Sequence, residues 1–341
     1  MAENNSVPRV KEVAVRSGVS EATVSRVLNG NYKHGFSVRD EVRQRITEAA
    51  DALGYRPNLA AKNLVKRQTK MVAILGSNIV IGWPGNIYQE IVNTLVKTLR
   101  VRGYDVCITV PSLEKDETEL PNWKVDGVIV LQECSARTIE QMEKTNLSYV
   151  VINGVGGSKC SSVIPDDIEA TRRAISYLAD IGHRRIAYAG PTSSHKKHRS
   201  IDDRHNTYLS VLAEYNFEPI PGHDTVFRSA PAFLTSAVLE NHATAILAYD
   251  HVEALKILHG AHVLNIQIPK QVSLMCFNDE YLCSIVTPSL TSIGMSLKQI
   301  GRIAAEKLLR HIESPRDNHP ECIKLSQDLI IRDSTSPPPK Q

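Results

Sequence analysis

The sequence lacks the features that mark membrane and secreted proteins. No run approaches the ~18 uncharged apolar residues of a membrane span. Residues 1–8 are polar and do not contain the apolar core of a secretory signal, so we expect a cytoplasmic protein with no membrane partner. The six cysteines lie far apart, and no C-x-x-C pair indicates zinc or dithiol chemistry. We therefore expect reduced, buried thiols.

The common catalytic motifs are also missing. The sequence has no G-x-S-x-G nucleophile elbow, no G-x-x-x-x-G-K-S/T phosphate loop and no H-E-x-x-H zinc motif. The glycines of 154–157 do not complete the G-x-G-x-x-G pattern of dinucleotide sites. We therefore expect a protein that is not an enzyme and that uses neither a metal nor a cofactor.

The charge of the chain is unevenly distributed. Of 341 residues, 42% are hydrophobic and 23% charged, which is ordinary for two or three globular domains. Residues 1–70 carry 13 Lys or Arg against 7 Asp or Glu, whereas the rest of the chain carries 27 against 30. A basic head before a slightly acidic body is expected when one part meets a polyanion. A well-hydrated surface would explain the same charges.

The first 30 residues have the pattern of two short helices joined by a tight turn. Val10 and Val13 stand at helical spacing before Gly18, which breaks the first helix. Ser20 suits the N-cap of a second helix over 21–28, which turns polar side chains outward. This is the helix-turn-helix pattern, in which the second helix reads the major groove. A small helical hairpin with a hydrated face is the alternative, and a third helix over 39–53 is predicted to pack beneath the pair.

Two stretches of the head carry a family resemblance. G-V-S-E-A-T-V-S-R-V-L-N-G, residues 18–30, resembles the DNA-binding signature of the LacI/GalR (lactose-repressor/galactose-repressor) family of bacterial transcription regulators. L-G-Y-R-P-N, residues 53–58, is similar to the segment leading into the hinge helix of that family. The loop 31–38 is longer than in the family, so phosphate contacts are not carried over to it. The DNA-binding residues implied are Ser20, Glu21, Ala22, Thr23, Ser25, Arg26, Asn29, Tyr55, Asn58, Ala61, Lys62 and Leu64.

The segment 57–65 is predicted to be a helix that forms only with a partner. It is shorter than the ~12 residues that a helix needs in water. The resemblance implies that it pairs with its counterpart in a dimer and that Leu64 enters the minor groove and kinks the duplex. Lys62 stands where the family commonly has arginine. Packing between helices is the alternative for Leu64.

The body alternates strand-length apolar runs with helical patterns, which is typical of a parallel sheet covered by helices. Blocks at 125–129, 182–187 and 287–291 also resemble the family, whose body is similar to periplasmic binding proteins. The predicted fold is α/β: an N-terminal all-α helix-turn-helix head plus a periplasmic-binding-protein-like body of two doubly wound α/β lobes. The predicted strands lie at 71–76, 106–110, 128–131, 149–153, 186–190, 245–249 and 272–277.

The resemblance implies an effector in the cleft between the lobes. A carboxylate and a guanidinium suit sugar hydroxyls, which both donate and accept. Helix capping is the alternative for the carboxylate and a surface salt bridge for the arginine. The basic run 195–199 suits an anionic effector, such as a sugar acid or phosphate, or is a hydrated loop. The candidate effector contacts are Tyr88, Asp166, Arg204, Tyr249 and Asn278.

The expected organisation follows from these assignments. A helix-turn-helix domain spans 1–56, the hinge helix and linker 57–70, a two-lobed effector-binding and dimerisation domain 71–334, and a flexible tail 335–341. The resemblance implies a transcription regulator, expected to be a repressor, that binds a palindromic operator as a homodimer. A carbohydrate or carbohydrate derivative would modulate its affinity for DNA. The alternative is a sugar-binding or sugar-modifying protein without a regulatory role. The apolar residues 91–99 would then form either a dimer helix or part of the core.

Overall fold

The computed structural model divides into two compact units, Met1–Thr69 and Lys70–Gln341. The first unit is the head and the second is the body. The residues described are 8–28, 36–56, 68–76, 86–109, 120–121, 123–132, 135–191, 198–222, 229–315 and 319–340. Within them, no helix is both long enough and apolar enough to cross a bilayer.

The head consists of three helices around a small apolar core. They are α1 (Val10–Ser17), α2 (Glu21–Leu28) and α3 (Asp40–Leu53). Gly18 ends α1 in the left-handed region, at φ 67°, where a side chain would be strained. Ser20 caps α2, because its Oγ accepts the Thr23 N–H at 3.2 Å. The turn, the cap and the third helix are thus confirmed.

The first lobe of the body is built on a six-stranded parallel sheet. Its strands are β1 (Met71–Leu75), β2 (Asp105–Ile108), β3 (Gly127–Leu131), β4 (Ser148–Ile152), β5 (Ser161–Pro165) and β10 (Cys322–Leu325). They lie in the order β10-β5-β4-β3-β1-β2, and the inner strands β1, β3 and β4 are apolar along nearly their whole length, because helices cover both faces of the sheet.

The second lobe is built on a five-stranded sheet in the order β11-β9-β8-β7-β6. Four strands are parallel and β11 runs antiparallel to β9. The strands are β6 (Ile186–Ala189), β7 (Ala245–Ala248), β8 (Ser273–Phe277), β9 (Thr291–Met295) and β11 (Gln327–Ile330). Two covered parallel sheets confirm the predicted fold class.

Helices cover the two sheets. They are α4 (Ile87–Val101), α5 (Ala136–Lys144), α6 (Asp167–Asp180), α7 (Arg199–Glu214), α8 (Ala230–Leu234), α9 (His251–Val263), α10 (Tyr281–Ile285) and α11 (Leu297–Glu313). A π-helical stretch, Thr235–Glu240, follows α8.

Helices α4 and α11 pack closely on the first sheet. Ile91, Leu95 and Leu99 are buried in one cluster with Ile300 and other residues of α11. A Cβ at Gly301 would lie 2.6 Å from the Ile91 carbonyl oxygen, so the approach of the two helices requires glycine at that position. The apolar face of α4 is therefore part of the core of the body, as expected from the core-packing alternative for residues 91–99.

The chain passes between the lobes three times, with one residue at each crossing. Asp166 separates β5 from α6, Ser296 separates β9 from α11, and Ser326 separates β10 from β11. The three crossings lie close together, since the Asp166 N–H donates to the Leu325 carbonyl at 2.8 Å and Gln327 pairs with Met295 in the second sheet. The lobes are thus joined by a compact triple hinge.

The C-terminal residues are attached to the second lobe. Ser334 is fully buried and its Oγ hydrogen-bonds the Leu274 carbonyl. Thr335 bonds the Tyr177 hydroxyl at 2.9 Å, and the Ser336 carbonyl lies 2.9 Å from His183 Nε2. The tail expected to be flexible from residue 335 is therefore held in the structure at least as far as Ser336.

Candidate nucleic-acid interface and effector cleft

Helix α2 presents a polar face on the head. Val24 and Val27 are buried against α1 and α3, which fixes the rotation of the helix. The opposite face exposes Glu21, Ala22, Ser25 and Arg26, and Thr23 is half-buried. Ser20 precedes the helix and is exposed. This face offers a carboxylate, two kinds of hydroxyl and a guanidinium, which are groups that read base edges and phosphates.

Arg26 is positioned by an aromatic ring. Its Cζ lies 4.8 Å from the centroid of the Phe36 ring, at cation–π distance. The ring restrains the side chain while its charged end stays exposed. Tyr55 is half-buried against the core of the head, and its N–H donates to the Ala50 carbonyl. The other predicted DNA contacts, Asn29, Asn58, Ala61, Lys62 and Leu64, lie outside the described residues.

The predicted effector contacts of the body lie beyond the carboxyl ends of parallel strands. Asp166 follows β5, Tyr249 follows β7 and Asn278 follows β8. The ends of such strands, at the switch points of open sheets, are where α/β proteins bind ligands. Arg204 reaches the same place from α7 and Tyr88 from α4. The structure thus places the five residues around one region of the body.

Arg204 is the centre of this region and is only 3% exposed. Its Nε and Nη2 lie 2.9 and 2.8 Å from Asp167 Oδ1, and its Nη1 donates to the Tyr249 carbonyl at 2.6 Å. The guanidinium also contacts two rings, with Cζ 4.9 Å from the centroid of Tyr249 and 4.1 Å from that of Phe277. Its plane and position are therefore fixed before any ligand arrives, and the surface salt bridge considered from sequence is excluded.

The carboxylate paired with Arg204 belongs to Asp167, and Asp166 has a different role. Asp166 caps α6, because its Oδ1 accepts the Glu169 N–H at 3.1 Å. Asp167 is 4% exposed, and its Oδ1 also accepts from Gln327 Nε2 at 3.2 Å. Sequence reasoning missed Asp167 as a site residue. The available signal was an acidic residue where the family commonly has asparagine.

A chain of hydrogen bonds joins the two lobes across this region. On the first lobe, Asn153 Nδ2 donates to the Tyr88 hydroxyl at 2.8 Å. The Asn153 carbonyl lies 2.7 Å from His198 Nε2 of the second lobe. His198 Nδ1 bonds Ser200 Oγ, which bonds the Tyr249 hydroxyl, both at 2.7 Å. Since a carbonyl only accepts, Nε2 carries the proton and Nδ1 is the acceptor.

The two tyrosines in this series of hydrogen bonds, Tyr88 and Tyr249, remain protonated. Burial raises the pKa of the Tyr88 hydroxyl, although its hydrogen bond with Asn153 lowers it in part. Burial likewise raises the pKa of Tyr249, and the nearby Arg204 charge opposes that shift. Both phenols are therefore neutral and can donate as well as accept hydrogen bonds near neutral pH.

Asn278 extends the region beyond Phe277. Its backbone is in the left-handed region, at φ 65°, which asparagine tolerates better than most residues. Its Oδ1 is buried and has no hydrogen-bond partner among the described residues. The next residue, Asp279, binds Arg332 at 2.6 Å. Asn278 thus brings an acceptor that the described residues do not satisfy, but it makes no described hydrogen bond to Arg204.

Two family models match the chain. The model of bacterial regulatory proteins of the lacI family matches residues 9–58. The model of a periplasmic binding protein-like domain matches residues 175–335. The first match includes the three helices of the head, and the second covers most of the second lobe and the later crossings of the hinge.

Curated relatives match over nearly the whole chain. The HTH-type transcriptional regulator MalR of Streptomyces coelicolor is 28% identical over 347 residues, which is 97% of each protein. Catabolite control protein A of Priestia megaterium is 27% identical over 340 residues, 96% of this chain and 98% of that protein. The probable HTH-type transcriptional repressor ExuR of Bacillus subtilis is 23% identical over 339 residues, which is 95% of this chain and 97% of that protein. The first and third of these proteins are named as regulators of transcription.

Solved structures share the fold. The lac repressor dimer bound to operator and the anti-inducer ONPF has a TM-score of 0.77 at 19% identity, covering 97% of this chain and all of that chain. A complex of the transcriptional regulator CelR with cellobiose has a TM-score of 0.63 at 24% identity, covering 96% of this chain and 99% of that chain. A LacI family regulator of Enterococcus faecium with bound ribose has a TM-score of 0.64 at 20% identity, covering 78% and 99%.

Proposed function

Because this chain belongs to the LacI family of transcription regulators, we propose that it is a repressor that binds a palindromic operator as a homodimer. The exposed polar face of α2 is the observation that carries the proposal. One short helix reads only a few base pairs, so two heads on a two-fold axis are needed for a specific site. A protein with this role acts in the cytoplasm, on the nucleoid.

Side chains on and before α2 are proposed to read the operator. Glu21 and Ala22, in the first turn, would face the base edges, and Ser20, Thr23, Ser25 and Arg26 would bind bases or phosphates. Tyr55 follows α3, where it would support the entry to the hinge. The other contacts proposed from the family resemblance are Asn29, directly after α2, and Asn58, Ala61, Lys62 and Leu64 of the hinge segment, with Leu64 as the minor-groove wedge.

We expect Arg26→Ala to weaken operator binding by about ten-fold or more and to reduce the dependence of affinity on salt. The arginine is exposed and restrained over Phe36, so its loss removes a positioned charge without opening the core of the head. The measurement is fluorescence anisotropy with an operator obtained by selection from random DNA, across a salt series.

Arg302→Ala is the matched control, because Arg302 is an exposed arginine of the body that pairs with Glu306. Its operator affinity and salt dependence should equal those of the original chain. Failure to select any palindromic sequence would contradict the operator proposal. Equal salt dependence for Arg26→Ala and Arg302→Ala would remove Arg26 from the interface.

The effector is proposed to bind where the lobes meet, in contact with Tyr88, Asp166, Arg204, Tyr249 and Asn278. A guanidinium packed against two rings offers both hydrogen-bond donors and an apolar surface, as binding of a sugar ring requires. Similar structures hold cellobiose and ribose, which supports a carbohydrate or carbohydrate derivative for this chain. A thermal-shift screen of sugars tests this proposal, because a ligand at 100 times its Kd adds ~2.7 kcal/mol to the folded state.

Effector binding is proposed to act on the heads through lobe movement. The bond from His198 to the Asn153 carbonyl crosses between the lobes beside the proposed site. A ligand that favours one arrangement of the lobes would favour one spacing of the two heads in the dimer. Linkage requires that the operator then change effector affinity by the same factor. Measuring effector affinity with and without operator tests this reciprocity.

A further inference from the structure

The charges around Arg204 are unusual for a site that would bind an anion. Two buried carboxylates, of Asp167 and Asp250, lie at the strand ends beside Arg204. Asp250 is 4% exposed and Asp167 equally so. A ligand carboxylate or phosphate brought beside them would meet repulsion that water screens poorly, because these groups are buried.

The helix N-termini, which often bind anions, are already capped. The Asp166 side chain accepts the Glu169 N–H at the start of α6. The Asp250 side chain accepts the Glu253 N–H at 2.9 Å at the start of α9. Since each carboxylate occupies the position that a phosphate or carboxylate of a ligand would take, the dipoles of α6 and α9 give no advantage to an anionic ligand.

The remaining hydrogen-bonding groups of the Asp167–Arg204 pair match hydroxyl groups. The described bonds to the Asp167 carboxylate all end on Oδ1, which leaves the lone pairs of Oδ2 for a donor. Arg204 has five N–H groups, and the described contacts use three of them. A hydroxyl can donate to Oδ2 and accept from the guanidinium, whereas a carboxylate or phosphate dianion can only accept.

We infer that Asp167 makes this cleft selective for an uncharged polyhydroxyl ligand and excludes sugar acids and sugar phosphates. The inference rests on the proposed effector role of the cleft. The carboxylate neutralises Arg204 within the protein, so the pair presents donors and an acceptor with no net charge. Asp167 is thus a specificity-determining residue, at the position where the family commonly has asparagine.

The test compares matched neutral and anionic ligands that share one ring. The probes are glucose, galactose and ribose, with glucuronate, galacturonate, glucose 6-phosphate and ribose 5-phosphate as their anionic counterparts. Thermal shift of the full chain identifies a binding pair, and calorimetry then gives the two affinities. We expect the neutral sugar to bind about ten-fold or more tightly than its anionic counterpart. Equal or tighter binding of the anion overturns the inference.

Asp167→Asn provides the second arm, since the amide keeps the shape of the carboxylate and removes its charge. In this variant we expect the preference for the neutral sugar to shrink by about ten-fold. Arg172→Gln is the matched control, because Arg172 lies on the same helix, is exposed and pairs with Glu214, and should leave the ratio unchanged. An Asp167→Asn variant that binds operator and keeps the original ratio overturns the role of Asp167.

The outcomes separate this inference from the proposed function. If no sugar, acid or phosphate of the panel binds, the carbohydrate-effector proposal fails and this inference fails with it. If an anion binds best, the carbohydrate effector stands and only the charge selection is wrong. If Asp167→Asn does not fold, the affinity ratio of the original chain still decides between neutral and anionic ligands.

Discussion

Replacement of Arg204 by alanine should destabilise the body by about 3–5 kcal/mol, because it leaves the carboxylate of Asp167 buried without its cation. Asp167 and Arg204 are 4% and 3% exposed, and Gln327 is the other described side chain that bonds the carboxylate. The measurement is urea unfolding followed by tryptophan fluorescence. Both tryptophans, Trp83 and Trp123, belong to the body, so the signal reports the unfolding of that unit.

Two further variants make this prediction specific. Arg199→Ala removes an arginine from the same helix, where its pairing with Asp203 is partly exposed, and should cost less than about 1 kcal/mol. The double variant Asp167→Asn with Arg204→Gln removes both charges of the buried pair and should recover much of the lost stability. Arg204→Ala as stable as Arg199→Ala would contradict the buried ion pair. Because Arg204→Ala is expected to be less stable, a loss of effector response in this variant must be interpreted together with its measured stability.

Acid should weaken the body through His311. This residue of α11 is 3% exposed, and its Nε2 lies 3.3 Å from Ser161 Oγ. Burial, with the positive charge of Lys307, lowers the pKa of His311 to about 4. The unfolded chain, with a histidine pKa of about 6.5, therefore binds more protons between those values. Stability should fall as pH drops from about 6.5 to 4, by about 3 kcal/mol in all.

His311→Gln removes the titration and keeps a hydrogen-bonding side chain. Its unfolding free energy should depend less on pH between 6.5 and 4 than that of the original chain. The exposed His262→Gln is the control and should keep the original dependence. Burial also lowers the pKa of His183, so part of the acid loss should survive in His311→Gln. Equal slopes for the original chain and His311→Gln would contradict the role of His311.

The apolar strands of the body could be predicted from sequence, and the polar ones could not. All seven predicted runs are strands, and five of them, β1, β3, β4, β7 and β8, lie between two other strands, where covered faces require apolar side chains. Strand β5, S-S-V-I-P, was missed because Ser161 is buried through hydrogen bonds with His311 and Glu321. Strand β10 was missed because it is an edge strand with alternating exposure. Because both strands contain polar side chains, neither forms the apolar run by which the other strands were predicted.

The candidate cleft shows a similar division. Arg204 and Tyr249 were predicted and are linked by a hydrogen bond and a ring contact. Asp167 was missed because the acidic pair reads equally as a helix cap, and only the start of α6 shows which of the two turns inward. His198 was seen only as one of several basic residues in a loop. Its bond to the Asn153 carbonyl depends on the packing of two lobes, which no local pattern encodes.

The triple hinge leaves the lobes little mechanical freedom. Each crossing is a single residue and therefore contributes only two soft dihedral angles. Gln327, directly after the crossing at Ser326, is fully buried and bonds Asp167. A rotation of the lobes consequently displaces a direct neighbour of the Asp167–Arg204 pair, without a flexible linker to absorb the motion. Ordering this short hinge would therefore cost little of the free energy of ligand binding, so most of that free energy would be available to change the relative orientation of the two lobes.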